Sequence, residues 1–300
     1  MSNSIALAQK YLPLLDEIYK ADSKTAILDT SPINLEFINA NTVKIFQIAL
    51  GKLGAYSRTS GYPAKDITGT WETFALSQDR GAKFVVDAMD EEETINMVVG
   101  NTLARFLRAA VIPEVDQYRF AKYASKAKNS ANGDVTVGTT DIPDLIAAAQ
   151  ETMGNAEVPV EGRVLFVSEK CYRGLKAKIT RYLANENGVN KDVEVFDGMR
   201  VIRVPSGRFA TAATIGSDGY TQSGYGINFM IVHPSAVAQT IKHEVPKIIA
   251  PELNQSADGW IVAYRLYHDA FTFEHGTTQG SNESGMTNGI YLHRTSTALS

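Results

Sequence analysis

The stretch "FLRAAVIPEVDQYRFAKYAS", residues 106–125, reads as helix on both sides of a proline. Ile95, Val99, Leu103, Phe106 and Ala110 recur three and four residues apart, the period of one apolar helix face. Beyond Pro113, the residues Val115, Tyr118 and Lys122 continue a similar stripe to about Lys128. Proline lacks the amide proton, and its ring collides with the carbonyl four residues back, so the rod ends or bends at Pro113. The acidic run Asp90, Glu91, Glu92 and Glu93 suits the positive end of a helix dipole. If the rod only bends, it exceeds about 30 residues and reaches about 50 Å at ~1.5 Å per residue. That is too long to be buried on every side in a domain of this size. A broken helix hairpin belongs to an ordinary globular enzyme, and a bent strut to something built to be tiled.

Upstream, NTVKIFQIAL and TWETFALSQ look like strands, separated by the turn-rich SRTSGYPAKDITG and followed by AKFVVD. Gly and Pro in the middle segment extend neither strand nor helix, so a hairpin with a long tip is expected over 41–87. Its arms carry Phe46, Trp71 and Phe74. A two-stranded ribbon alone is marginal in water, so something must cover it. Residues 4–28 look like a short amphipathic helix broken near Pro13 and followed by an extended tail.

Downstream, residues 129–140 read as a polar linker and a domain boundary. Asp141 then stands where it caps a helix through DLIAAAQETM, with Pro143 in the first turn. RVLFVS is a buried strand leading into a helix through KCYRGLKAKITRYLA. VEVFDGMRVIRVP gives two strands around an Asp197-Gly198 turn. GSDGYTQSGYG reads as a flexible loop, and INFMIVHP as another buried strand, so a compact α+β domain covers about 130–235. The remainder is strand-rich, alternates in VAYRLYHDAF, and closes on a short strand, GIYLHRT.

The chain of 300 residues is 44% hydrophobic and 21% charged, and it carries a formal charge of −4. Such a balance supports a real core and argues against a protein that grips nucleic acid through a basic surface. Cys171 is the single cysteine, which excludes an intrachain disulfide framework. Neither a secretion signal nor an apolar run of ~20 residues is present, so a soluble protein with no membrane partner is expected.

Motifs for catalysis are nearly absent. There is no phosphate-binding GxxxxGK[ST] and no strand–GxGxxG–helix unit, and His243-Glu244 lacks the second histidine of a zinc-protease helix. His233, His243, His268, His275 and His293 never fall at a metal-ligand spacing. Basic neighbours of Cys171 in KCYRGLK would lower its pKa, but its place at a helix start fits an inert packed thiol as well. His268 and Asp269 are adjacent in a strand and so point to opposite faces. Asp87, Asp90 and Glu91 are explained by helix capping before any acidic site. No cofactor or metal is expected.

The order of these parts, with "FVVDAMDEEET", "VIPEVDQYRFAKYA" and "LFVSEKCYRGLKAKITRYL", resembles the major capsid proteins of tailed phages with the Hong Kong 97-type coat fold. The likeness runs from about Asn41 to His293. It implies an α+β fold with residues 1–40 as N-terminal arm and 41–87 as an extended E-loop hairpin. Residues 88–128 and 236–273 would form a peripheral domain on a long spine helix, and 129–235 with 274–300 an axial α+β domain. The chain would then assemble with itself into pentamers and hexamers of an icosahedral virion shell, put together in a bacterial host's cytoplasm. That shell encloses double-stranded DNA without sequence-specific binding.

A separate scaffolding protein (or none), a portal and a decoration protein are the other partners the resemblance implies. Only about 40 residues precede the hairpin, so no fused scaffold is expected. Lys52 and Lys65 match no crosslinking motif. The implied assembly interface includes Phe46, Tyr62, Trp71, Phe74, Arg105, Arg108, Pro113 and Tyr118, with ribbon and rod leaving apolar surface for other copies to bury. Two alternatives stay open: an encapsulin-like nanocompartment shell, and an enzyme using Cys171 or a histidine.

Overall fold

A computed structural model of the chain describes residues 23–30, 36–37, 42–50, 54–59, 61–62, 67–87, 103–182, 193–254, 258–273 and 286–299. The expected helix in 4–28, the acidic run at 90–93, Lys52, Lys65 and His275 lie outside these apart from residues 23–28, as do the side chains of Phe46, Trp71 and His243.

The rod passes its proline unbroken. Residues 103–106 are helical, Leu107–Val111 forms a π turn, and α1 follows over Ile112–Lys126. The amide of Ile112 bonds the carbonyl of Leu107, five residues back rather than four. One wide turn just before Pro113 makes room for a ring that would otherwise strike the carbonyl of Ala109. The described helix is about 36 Å long at ~1.5 Å per residue. Its extra residue also brings Val111 and Ile112 together onto one buried face.

That face spans two sheets. Leu103, Leu107, Val111, Ile112 and Val115 pack on Ile248, Val262, Tyr264 and Leu266. These belong to a three-stranded antiparallel sheet in the order β11 (Val237–Ile249), β12 (Gly259–Thr272), β4 (Gln78–Asp87). Farther along the helix, Phe120, Tyr123 and Ala124 enter a second core with Phe166, Phe209 and Met230. This core lies on a seven-stranded sheet built on β5 (Ala127–Asn132), β13 (Thr287–Ala298), β10 (Gly219–Val232), β6 (Val164–Ser168), β8 (Met199–Val204) and β7 (Val195–Phe196). The seventh strand, β9 (Ala210–Gly216), pairs with β10 beside that path.

Strand alternation divides the second sheet into two faces. Val164 and Phe166 of β6 face α1, and Leu165 and Val167 face the core under α2 (Ile142–Asn155) and α3 (Glu169–Tyr182). Ile142, Ile146, Ala149, Met153, Cys171 and Leu175 close that outer layer. The expected Asp197-Gly198 turn joins β7 and β8, with positive φ of 48° and 76° at the two residues.

The third sheet is the hairpin. β2 (Thr42–Leu50) and β3 (Ile67–Ala75) pair antiparallel from Thr42↔Ala75 to Leu50↔Ile67, and β1 (Glu36–Phe37) adds to the edge of β2.

Several expectations are corrected. The run 78–87, grouped with the hairpin, instead pairs along β12 from Gly259↔Asp87 to His268↔Gln78. The linker at 129–140 begins as a strand, because β5 continues from the helix and runs parallel to β13. The loop GSDGYTQSGYG is the β9–β10 hairpin, turning at Ser217-Asp218. Gly224, at φ +75°, sits at its bulge, where a Cβ would come within 2.6 Å of the Thr211 hydroxyl. Asp141 stands at the N-cap of α2, but its carboxylate bonds none of the helix amides and faces Lys178 at 3.5 Å.

Candidate assembly surfaces

Three polar residues on α1 are fully buried: Asp116, Gln117 and Arg119. What buries them is residues 23–30 together with Arg208 and the β9–β10 hairpin. The Asp116 carboxylate accepts hydrogen bonds from Ser23 Oγ at 2.8 Å, Lys24 N at 2.9 Å, Thr25 N at 3.2 Å and Thr25 Oγ1 at 2.8 Å. Arg208 Nη1 completes the set at 3.0 Å. One turn on, Arg119 Nη1 donates to Thr25 Oγ1 at 2.9 Å and lies 3.6 Å from Asp29.

The buried Asp116 carboxylate therefore has an opposite charge and hydrogen bonds around it, the condition under which such burial is tolerated. Gln117 acts as a strand edge: its amide donates to Ala210 O and accepts from Ala210 N. With Leu28 fully buried in the core beneath, residues 23–30 form a clasp on the spine helix and are not a free arm.

A second clasp holds the hairpin root, where two residues separate β3 from β4. Asp269 accepts from Ser77 N and Ser77 Oγ, both at 2.9 Å, and from Tyr118 Oη at 2.7 Å. Tyr267 donates to the Leu76 carbonyl at 2.9 Å. Burial, with Asp269 beside it, holds the Tyr118 phenol well above its ordinary pKa. His268 and Asp269 both meet Tyr118, His268 edge-on at 5.5 Å between ring centroids, so strict alternation fails here. The β11–β12 register shifts between Ile241 and His243, next to this point. Burial first and Arg119 second push the His268 pKa down to about 3, and its Nδ1 has no hydrogen-bond partner.

The expected interface residues separate into distinct groups. Phe46 and Trp71 are paired across β2 and β3. Tyr62 is 88% exposed near the hairpin tip, and Arg105 and Arg108 are exposed on the helix. Phe74 and Tyr118 are only partly exposed and are engaged within their own chain. Phe74 packs on Phe271 and Phe273 at 5.0 and 5.8 Å, and Tyr118 is engaged in the root clasp. Pro113 is partly buried at the start of α1. The described part of the rod, residues 103–126, is thus covered largely by its own chain, because one helix serves two sheets at once; the exposed residues along it are Arg105, Arg108, Ala109 and Ser125.

Among the described residues, Cys171, His293 and His233 are engaged in packing or hydrogen bonds. Cys171 is fully buried, and burial pushes its thiol pKa up to about 12, the reverse of what its basic neighbours suggested. His293 stacks on Phe229 at 4.9 Å with Asn228 at 3.1 Å, and His233 bonds Ser235 and the Glu161 carbonyl. Among the described residues, no three His, Cys, Asp or Glu side chains are grouped to hold a metal, and no helix is long and apolar enough to cross a membrane.

No family model matches the chain, and no curated protein matches its sequence. Solved structures do. The head of Helicobacter pylori bacteriophage KHP40 matches at 10% identity over 85% of both chains, with a TM-score of 0.58. The capsid of cyanophage P-SCSP1u matches at 13% identity over 90% of this chain and 86% of that one, with a TM-score of 0.57. A virus-like particle from Pyrococcus furiosus matches at 12% identity over 94% and 96%, with a TM-score of 0.54. The chain has the Hong Kong 97-type coat fold.

Proposed function

We propose that this chain is the major capsid protein of a tailed phage, forming pentamers and hexamers of an icosahedral head around double-stranded DNA. The observation that carries the reading is the match of nearly the whole chain to phage head and capsid structures. The architecture supports it. A helix braced by two sheets is a stiff beam, and the hairpin leaves it from a root fixed by Asp269, Tyr267 and Tyr118. Many weak repeated contacts between such identical subunits close into rings. DNA is enclosed rather than gripped, in keeping with a formal charge of −4. A portal, a separate scaffolding protein and a decoration protein would be its other partners.

A nanocompartment shell is the second reading, favoured by the likeness to the Pyrococcus furiosus particle over 94% of the chain. Replacing residues 58–68 by a short Gly-Ser turn tests both shell readings. The remaining fold should persist by circular dichroism while assembly, followed by sedimentation, is lost; normal shells from this variant would contradict the role given to the hairpin. The contents of particles from infected or lysogenic cells separate the two readings: nuclease-protected DNA for the phage head, a protein cargo for the nanocompartment.

A further inference from the structure

A cavity of about 280 Å³ opens between the helix, β4, β12 and the β9–β10 turn. Phe84, Phe106, Val111, Tyr264 and Leu266 line it with apolar surface. Its polar lining includes Arg80, which bonds Glu114 at 2.6 Å and the Gly216 carbonyl at 2.8 Å, and the exposed carboxylate of Asp218. Engineered cavities of about 150 Å³ take up benzene, so this one admits a phenol ring.

Elsewhere the same chain exposes an aromatic group in a prepared geometry. Near the hairpin tip, Ser57 and Gly61 exchange backbone hydrogen bonds of 3.1 and 2.8 Å, closing a tight turn with Gly61 at φ +77°. Flanking it, Tyr62 is 88% and Tyr56 60% exposed, with ring centroids 5.1 Å apart, edge to face. Arg58 stands exposed on the turn. Such a turn loses little freedom on docking.

In its own molecule the tip lies outside this cavity: Tyr62 is 88% exposed and is not among the residues that line it. The hairpin root at Leu76-Ser77 adjoins β4, whose Arg80 lines the cavity, and the paired strands β2 and β3 carry the tip roughly 30 Å away at ~3.3 Å per residue. We infer that Tyr62 of one copy inserts into this cavity of a second copy, its hydroxyl toward Arg80 and Glu114, with Arg58 facing Asp218 of that second copy. A cation on the tip and a carboxylate at the cavity mouth select this occupant and fix its register. The inference rests on the shell-subunit reading and names the contact through which one subunit would hold the next.

The test uses the full chain. Tyr62→Ala should leave the melting temperature of the unassembled protein unchanged, since the side chain is mostly in water, and raise the threshold concentration for assembly at least tenfold. Tyr62→Phe should recover most of that loss. Arg58→Glu and Asp218→Arg should each weaken assembly, and the two together should restore it. A photoreactive benzoylphenylalanine at position 62, in particles mixed from light and ¹⁵N-labelled subunits, should crosslink light to heavy chains at peptides containing residues 106–115 or 217–219. Tyr62→Ala assembling at the wild-type threshold, or adducts only at other sites, would overturn the docking while leaving the shell reading intact. A wild-type chain that never assembles would overturn the shell reading itself.

Discussion

Replacing Asp116 by alanine is the sharpest test of how residues 23–30 are fastened to the spine helix. The carboxylate is fully buried and holds four donors from Ser23, Lys24 and Thr25, together with the Arg208 guanidinium. Hydrogen bonds to a charged group are each worth about 1.5–3 kcal/mol, but they share one anion and do not add. Removing one member of a buried ion pair costs about 3–5 kcal/mol, because the other charge is left uncompensated. We therefore expect Asp116→Ala to lose about 4 kcal/mol in urea unfolding of the unassembled protein, and its melting temperature to fall by about 10 °C. Asp116→Asn keeps the shape and one acceptor and should lose about half as much. Trypsin should then cut after Lys24 in the alanine variant far faster than in the wild type, since the clasp is gone. A loss below about 1 kcal/mol with Lys24 still protected would refute the reasoning.

Three further outcomes follow from the same contacts. Tyr118→Phe removes the 2.7 Å bond to Asp269; a loss of about 1 kcal/mol is expected, with faster amide exchange over residues 76–80 while α2 and α3 exchange as before. His268 is neutral in the fold, with its pKa pushed down to about 3. The unfolded chain takes up that proton near pH 6.5, so stability is unaffected above about 6.5 and falls as pH drops from there toward 3, by as much as several kcal/mol. His268→Gln should flatten the decline within that window. Cys171 should react with an aromatic disulfide reagent only after unfolding, and Cys171→Ala should leave assembled shells unchanged in form.

What was legible in the sequence was whatever rests on period and punctuation. The buried strands VLFVS and INFMIV, the helix after the first of them, the Asp197-Gly198 turn and the hairpin arms all read correctly, because local pattern decides them. Pro113 announced a bend, but the π turn that absorbs it depends on tertiary packing of Val111 and Ile112 against one sheet.

The misses share a cause: a polar or glycine-rich residue looks the same in sequence whether it faces water or a distant partner. Asp116, Gln117 and Arg119 form one such group, hydrogen-bonded to residues about 90 positions away, and no local signal marks them. Gly219 and Gly224 suggested a flexible loop, whereas they shape the turn and bulge of β9–β10. For the candidate surface, the exposed Tyr62 and Arg58 were within reach of a sequence reading of the tip. The cavity was not, since its lining comes from four separated segments.

Electron cryomicroscopy of the purified full chain, across a concentration series and with its scaffolding partner supplied if one is found, tests the central claim most directly. The account predicts closed shells built of five- and sixfold clusters, with a hairpin from each subunit lying across its neighbour. A folded chain that stays monomeric at every concentration under those conditions would contradict it.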